Sequence, residues 1–332
     1  MRARSSRDRV AQGLAVALQT AYVQPRRAHV VSVDMGSALS SLVIVIATGC
    51  SVASSEPERG LPAIPEAGTF TKAEYTAHIK QLRARLRKLG LGAMAIRVED
   101  PFVVIGDGTA AELERSAGTV RWAADHLEQD FFAKRPAKIL DVYLFSEAQA
   151  YEDGVRELTG EHPTTIYGFY SSSQGALFMN IATGGGTLVH EIVHPYVEAD
   201  FPAAPAWLNE GLGSLFEQSA ELDDHIVGRT NWRLAGLQRA IKAGSVPTFR
   251  TLTALGDSAF YADDTGIHYA QARYLLYYLQ DKGLLRELYR RFRAARAKDP
   301  TGYQTLTAVL GVTDMTAFQA AWEAYVAKLR FP

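Results

Sequence analysis

Two periodicities alternate along the chain and divide it into elements. Residues 71–88 and 110–132 repeat apolar positions every three to four residues between polar and charged ones, the mark of helices with one buried face. Residues 93–107 read as a strand pair turning near Asp100 and Pro101, and 138–145 is a dense β-branched and aromatic run that predicts a strand. Residues 146–158 return to the helical period. Two further strands are expected over 164–170 and 176–181, joined by the turn-forming residues 171–175. Beyond residue 217 the pattern is mainly helical, with no internal repeat.

Strands and helices first, mainly helices afterwards, predict an α+β chain in two lobes: a mixed sheet lobe over 71–196 and a mainly helical lobe over 197–332, with a cleft between. The first seventy positions differ. Residues 35–55 carry no charge, 41–47 are strongly apolar, and Arg26, Arg27 and His29 precede them as a basic segment. The stretch 51–68, rich in serine, proline, glutamate and glycine, reads as a tether, so the expected boundaries are an extension over 1–50, a linker over 51–70 and a globular part over 71–332.

Charge removes one class of function. With 35 basic and 36 acidic residues, the net charge of −1 gives no electrostatic reason to expect a nucleic acid partner. A single cysteine excludes an intrachain disulfide framework.

The chemistry concentrates at TLVHEIVH, residues 187–194. His190 and His194 stand four apart, so on a helix they project from one face and can share a metal ion, while Glu191 points about a quarter turn away toward the space beside it. Val189, Ile192, Val193 and Tyr196 supply the apolar stripe that would anchor this helix. Pro195 follows the second histidine and is expected to kink or end the helix there.

A second helix is expected over 207–217, WLNEGLGSLFE. Leu208, Leu212, Leu215 and Phe216 form its apolar face, and Glu210, Gly213, Ser214 and Glu217 form another with acid groups but little bulk. Glycine inside a helix costs about 0.5–1 kcal/mol relative to alanine, so Gly211 and Gly213 suggest close approach of another element. If the histidine helix lies against the bare face, Glu210 becomes a third ligand in a His, His, Glu zinc site, and Glu217 is either a solvated acid or the group that orients a ligand histidine.

HEIVH, the interval 195–209 and the glutamate of WLNEG together resemble the gluzincin metallopeptidases, especially the aminopeptidase N-like enzymes and the smaller peptidase MA-like proteins. The resemblance implies a zincin-like fold with one Zn²⁺ on His190, His194 and Glu210, and hydrolysis of a peptide bond by a zinc-activated water with Glu191 as general base. It further implies a tyrosine at the start of a later helix, here HYAQARYLLYYLQDKG. Tyr269 takes that place as donor to the oxyanion, with the neighbouring His268 as its rival. In such folds the strand before the metal helix is commonly a sheet edge that pairs with an extended peptide. That role falls on GALFMN, with Ala176, Leu177, Phe178, Met179 and Asn180 as the substrate strand, or these residues form an ordinary strand.

ATGC at 47–50 places Cys50 just after small residues at the end of the apolar run. This resembles a bacterial lipoprotein signal, and implies lipidation at Cys50 and a membrane-anchored protein in the cell envelope, facing away from the cytoplasm. Two other readings stay open: a zincin-fold binding or assembly module that does not turn over peptide, and a zinc hydrolase of a non-peptide amide.

Overall fold

The computed structural model describes residues 70–263 and 265–331. Cys50, the lipoprotein-type signal and nearly all of the tether lie outside them.

Helix α1 (Lys72–Lys88) starts at a capping box in which Thr71 and Glu74 exchange hydrogen bonds, and buries Tyr75, Ile79, Leu82 and Leu86 at helical spacing. The strands β1 (Ala95–Glu99) and β2 (Phe102–Gly106) pair antiparallel around Asp100 and Pro101. Helix α2 (Ala110–Asp130) opens on a second capping box, Thr109 with Glu112. Then come β3 (Leu140–Phe145) and α3 (Ala148–Thr159), which ends where Gly160 adopts φ 81°. The strands β4 (Gly168–Ser171) and β5 (Ala176–Asn180) complete a sheet of order β1-β2-β3-β5-β4, in which β2, β3 and β5 run parallel and the outer strands antiparallel.

Side-chain alternation splits the sheet between two cores. Val103, Ile105, Tyr143, Phe145, Ala176 and Phe178 join α1 and α3 on one face. Phe102, Val104, Leu140, Val142, Leu144, Leu177 and Met179 join α2 and the later helices on the other. That second core runs without interruption into the helices that follow: α4 (Gly186–Asp200), α5 (Ala206–Phe216), α6 (Arg233–Lys242), α7 (Phe249–Ala254), α8 (Asp257–Tyr261), α9 (Ile267–Asp281), α10 (Leu285–Ala295), α11 (Tyr303–Leu310) and α12 (Met315–Lys328). The chain is α+β with a mixed sheet. Among the described residues no helix is long and apolar enough to cross a membrane.

Three expectations are corrected. The strand Ala176 to Asn180 is interior, hydrogen-bonded to β3 on one side and β4 on the other, with all five residues buried; the sheet edge on this side is β4. That edge strand is also shorter than expected. Tyr167 still takes one backbone hydrogen bond from Asn180, but before it side chains take up the carbonyls, Tyr151 Oη donating to Thr165 and Asn180 Nδ2 to Ile166. Pro195 does not stop α4, which runs on to Asp200 with Val193, Tyr196 and Val197 held in the core on either side of the ring. The proline removes only the hydrogen bond that position 195 would have given the Glu191 carbonyl. The chain after Glu217 is mainly helical, as expected, but first forms a hairpin, β6 (Ser219–Leu222) and β7 (His225–Gly228), whose tip holds Asp223 and Asp224 at φ 51° and 60°.

Candidate metal centre

Helix α4 brings His190, Glu191 and His194 together, with His190 and Glu191 buried and the His194 side chain 11% exposed. These three could hold a metal ion: one ligand atom from each lies within 4.8 Å of the others. The chain reverses through 201–205 and returns as α5, which places Glu210 against the histidines. Oε2 of Glu210 stands 3.2 Å from His190 Nε2 and 4.0 Å from His194 Nε2, and Oε2 of Glu191 stands 3.8 Å from His194 Nε2. Two carboxylates and two imidazoles therefore converge on one small volume.

The bare face of α5 makes this approach possible. A Cβ on Gly213 would stand 3.0 Å from both Nε2 and Cδ2 of His190, so the imidazole lies flat on the glycine. Gly211 serves a different neighbour. A Cβ there would meet Leu276 Cδ1 at 2.9 Å and Ala272 Cβ at 3.4 Å, both on α9. One glycine thus seats the metal helix and the other seats α9.

The two carboxyl groups are driven apart in acidity. Burial lifts Glu191 to about 7, with His194 pulling it down and Glu210 pushing it up; the N–H of Tyr170 in β4 donates to its Oε2 at 2.9 Å. Burial also opposes ionisation of Glu210, but the charge of His194 and hydrogen bonds from His190 and Tyr261 outweigh it and hold that carboxyl at about 2. Glu210 is the committed anion and Glu191 the group poised to exchange a proton near neutrality.

The supporting contacts include two that sequence reasoning did not find. Oδ1 of Asn209 lies 3.0 Å from Nδ1 of His194, and so favours the tautomer with Nδ1 protonated and Nε2 free to coordinate. Its place beside Glu210 in WLNEG was the available signal. The hydroxyl of Tyr261 donates to Oε1 of Glu210 at 2.8 Å, and this tyrosine is half exposed. No local pattern marks it, because it ends a five-residue helix far along the chain from its partner.

Tyr269 reaches the same neighbourhood behind Tyr261. Its ring packs on Phe260 and lies 6.4 Å from the Tyr261 ring, and its hydroxyl is raised above the usual phenol range by burial and then by Glu210. His268 is turned to the preceding loop: its Nδ1 faces the Phe260 carbonyl at 3.2 Å and Asp263 at 3.8 Å. Glu217 is not hydrogen-bonded to a histidine. Its Oε2 accepts from Asn231 Nδ2 and Arg233 Nε, each at 3.2 Å, because the end of α5 faces the start of α6. Burial opposes ionisation of Glu217, but Arg233 and then His190 lower it.

No family model matches the chain, and no curated protein matches it significantly.

Proposed function

We propose that this chain is a zinc-dependent peptide-bond hydrolase of gluzincin type with a zincin-like, two-lobed fold, tethered to a bacterial envelope membrane through Cys50. The observation that carries this reading is the convergence of His190 Nε2 and His194 Nε2 on Oε2 of Glu210, with Glu191 alongside. Donor atoms around a tetrahedral zinc at about 2.0–2.1 Å stand roughly 3.3 Å apart. The separation of 3.2 Å between His190 and Glu210 suits that geometry, and the 4.0 Å to His194 needs only a small side-chain adjustment. Two buried imidazoles, one carboxylate held ionised and no thiol form a donor set that zinc accepts.

A zinc ion held there would supply a Lewis acid and lower the pKa of water toward neutrality. The protein does the rest. Glu191, aligned by the Tyr170 N–H, takes a proton from the attacking water and passes it to the departing amine. A phenol donates to the developing oxyanion; Tyr269 retains this role by resemblance, while Tyr261 supports Glu210. The strand that would pair with an extended peptide is β4, since Tyr170 lies opposite Leu177 at a position whose N–H turns away from β5, toward Glu191.

The test is Glu191→Gln assayed against a peptide library with zinc content measured in parallel. Hydrolysis should fall by about 10²-fold or more with zinc retained. Unchanged hydrolysis would remove Glu191 as base, and a wild-type protein without zinc would remove the site.

A further inference from the structure

One charged group beside the metal centre has no part in the chemistry above. Arg233 opens α6, and its guanidinium lies between two aromatic rings, 4.2 Å from the centroid of Trp232 and 5.3 Å from that of Tyr269. Its Nε donates to Glu217, and among the described residues Nη1 and Nη2 donate to nothing, although neither is sealed from water. Two contacts locate it. The Tyr269 ring lies tilted beside that of Tyr261, which holds Glu210. Glu217 abuts the beginning of the metal helix, where a Cβ on Gly186 would stand 2.4 Å from the Glu217 carbonyl oxygen, one turn before His190. Arg233 therefore borders the cleft at the N-terminal end of α4.

Glu217 is acted on by Arg273 as well as by Arg233. Arg273 is fully buried, with Nε and Nη1 shut from water and without partners. A guanidinium whose outer nitrogens lack partners among the described residues, held in a low-dielectric setting, attracts an anion. The ring contacts fix the plane of the Arg233 guanidinium, and its terminal fork fits a carboxylate through two parallel hydrogen bonds. Trp232, 40% exposed, forms an apolar wall beside that fork.

We propose that Arg233 is the anion-recognition residue of this cleft, taking a carboxylate of the peptide substrate end-on through Nη1 and Nη2 while Trp232 covers the neighbouring side chain. The proposal rests on the reading of the centre as a peptidase site. The carboxylate comes either from a free peptide C-terminus or from an acidic side chain.

Calorimetric titration separates these sources. Three probes are titrated into the full-length chain, as purified and again after chelation: N-acetyl-phenylalanyl-alanine, its C-terminal amide, and N-acetyl-phenylalanyl-glutamate amide, whose side-chain acid is free. At least one acid-bearing probe should bind about tenfold or more tightly than the plain amide, and which one does so names the source. The preference should vanish in Arg233→Gln and survive in weakened form in Arg233→Lys. Equal binding of all three probes to the wild-type chain overturns the proposal, and that comparison needs no variant to fold. So does an acid preference that is intact in a folded Arg233→Gln protein. Because binding is read without turnover, an inactive chain that still prefers the acid retires the hydrolase reading and keeps the anion site. Zinc-dependent cleavage without any acid preference retires the anion site alone.

Discussion

The phenol of Tyr261 hydrogen-bonds Oε1 of Glu210 at 2.8 Å, while Oε2 of the same carboxylate faces both histidines. One oxygen is thus held by the tyrosine and the other faces the imidazoles. Removing the hydroxyl in Tyr261→Phe should weaken zinc binding by about tenfold or more, the range seen when a supporting hydrogen bond to a ligand is lost. Tyr269→Phe should leave zinc affinity unchanged and lower kcat by about 10²-fold. Competition with a zinc-chelating dye, run beside kinetics, separates the two; a reversed pattern would make Tyr261 the oxyanion donor.

The two glycines of α5 should fail in different ways. Gly213→Ala puts a methyl carbon 3.0 Å from the His190 ring. It should therefore cost zinc affinity with little loss of thermal stability, since alanine favours a helix. Gly211→Ala drives into Leu276 and Ala272, and should lower stability by about 1–3 kcal/mol through overpacking. Thermal melts of the metal-free proteins, set against zinc titrations, check this. A Gly213→Ala protein with normal zinc affinity would show that His190 can move without penalty.

Acid should weaken both capping boxes. Glu74 and Glu112 are held below the ordinary carboxylate value by hydrogen bonds from the hydroxyl and backbone N–H of Thr71 and Thr109. A lowered folded-state pKa stabilises the fold fully above the ordinary value of 4.5, and that contribution is lost as pH falls through the lowered values. The Tm gap between wild type and a Thr71→Ala, Thr109→Ala double variant should therefore be constant above about pH 5.5 and narrow below about pH 4. A gap that is the same at both pH values rules out a carboxylate contribution.

Cys50→Ser tests the tether. Expressed from its own start in a bacterial host, the wild-type chain should sediment with membranes and the variant should be released to the soluble fraction. Equal partitioning of the two would remove lipidation at Cys50.

The candidate metal centre is the most readable part of the chain because helical spacing is local. His190, Glu191 and His194 need only one turn, and the glycine at 213 announced the close approach that puts Glu210 beside them. Strand order depends on contacts between distant segments. Even so, ALFM is a continuous apolar run, the mark of a strand covered on both faces, and that signal points to an interior place for β5. The β6–β7 hairpin gave little warning, since Glu221 and Leu222 are exposed and its strands are four residues each, too short for clear alternation. Pro195 signals a helix break by intrinsic preference alone, whereas the core contacts of Tyr196 and Val197, set by tertiary packing, hold α4 together. Tyr261 had no readable signal, because only tertiary folding brings it to Glu210.

The hydrogen bond from Tyr170 to Glu191 joins the outer strand of the sheet to the group assigned as base. In the proposed enzyme, a peptide laid along β4 steadies that strand and, through the Tyr170 N–H, steadies the carboxylate as well. Occupancy and alignment then become reciprocal: whatever fixes Glu191 also favours an ordered edge, by the same free energy. Shortening a substrate at its far end would in that case appear in kcat and not only in KM, because the lost backbone contacts would have been helping to aim the base.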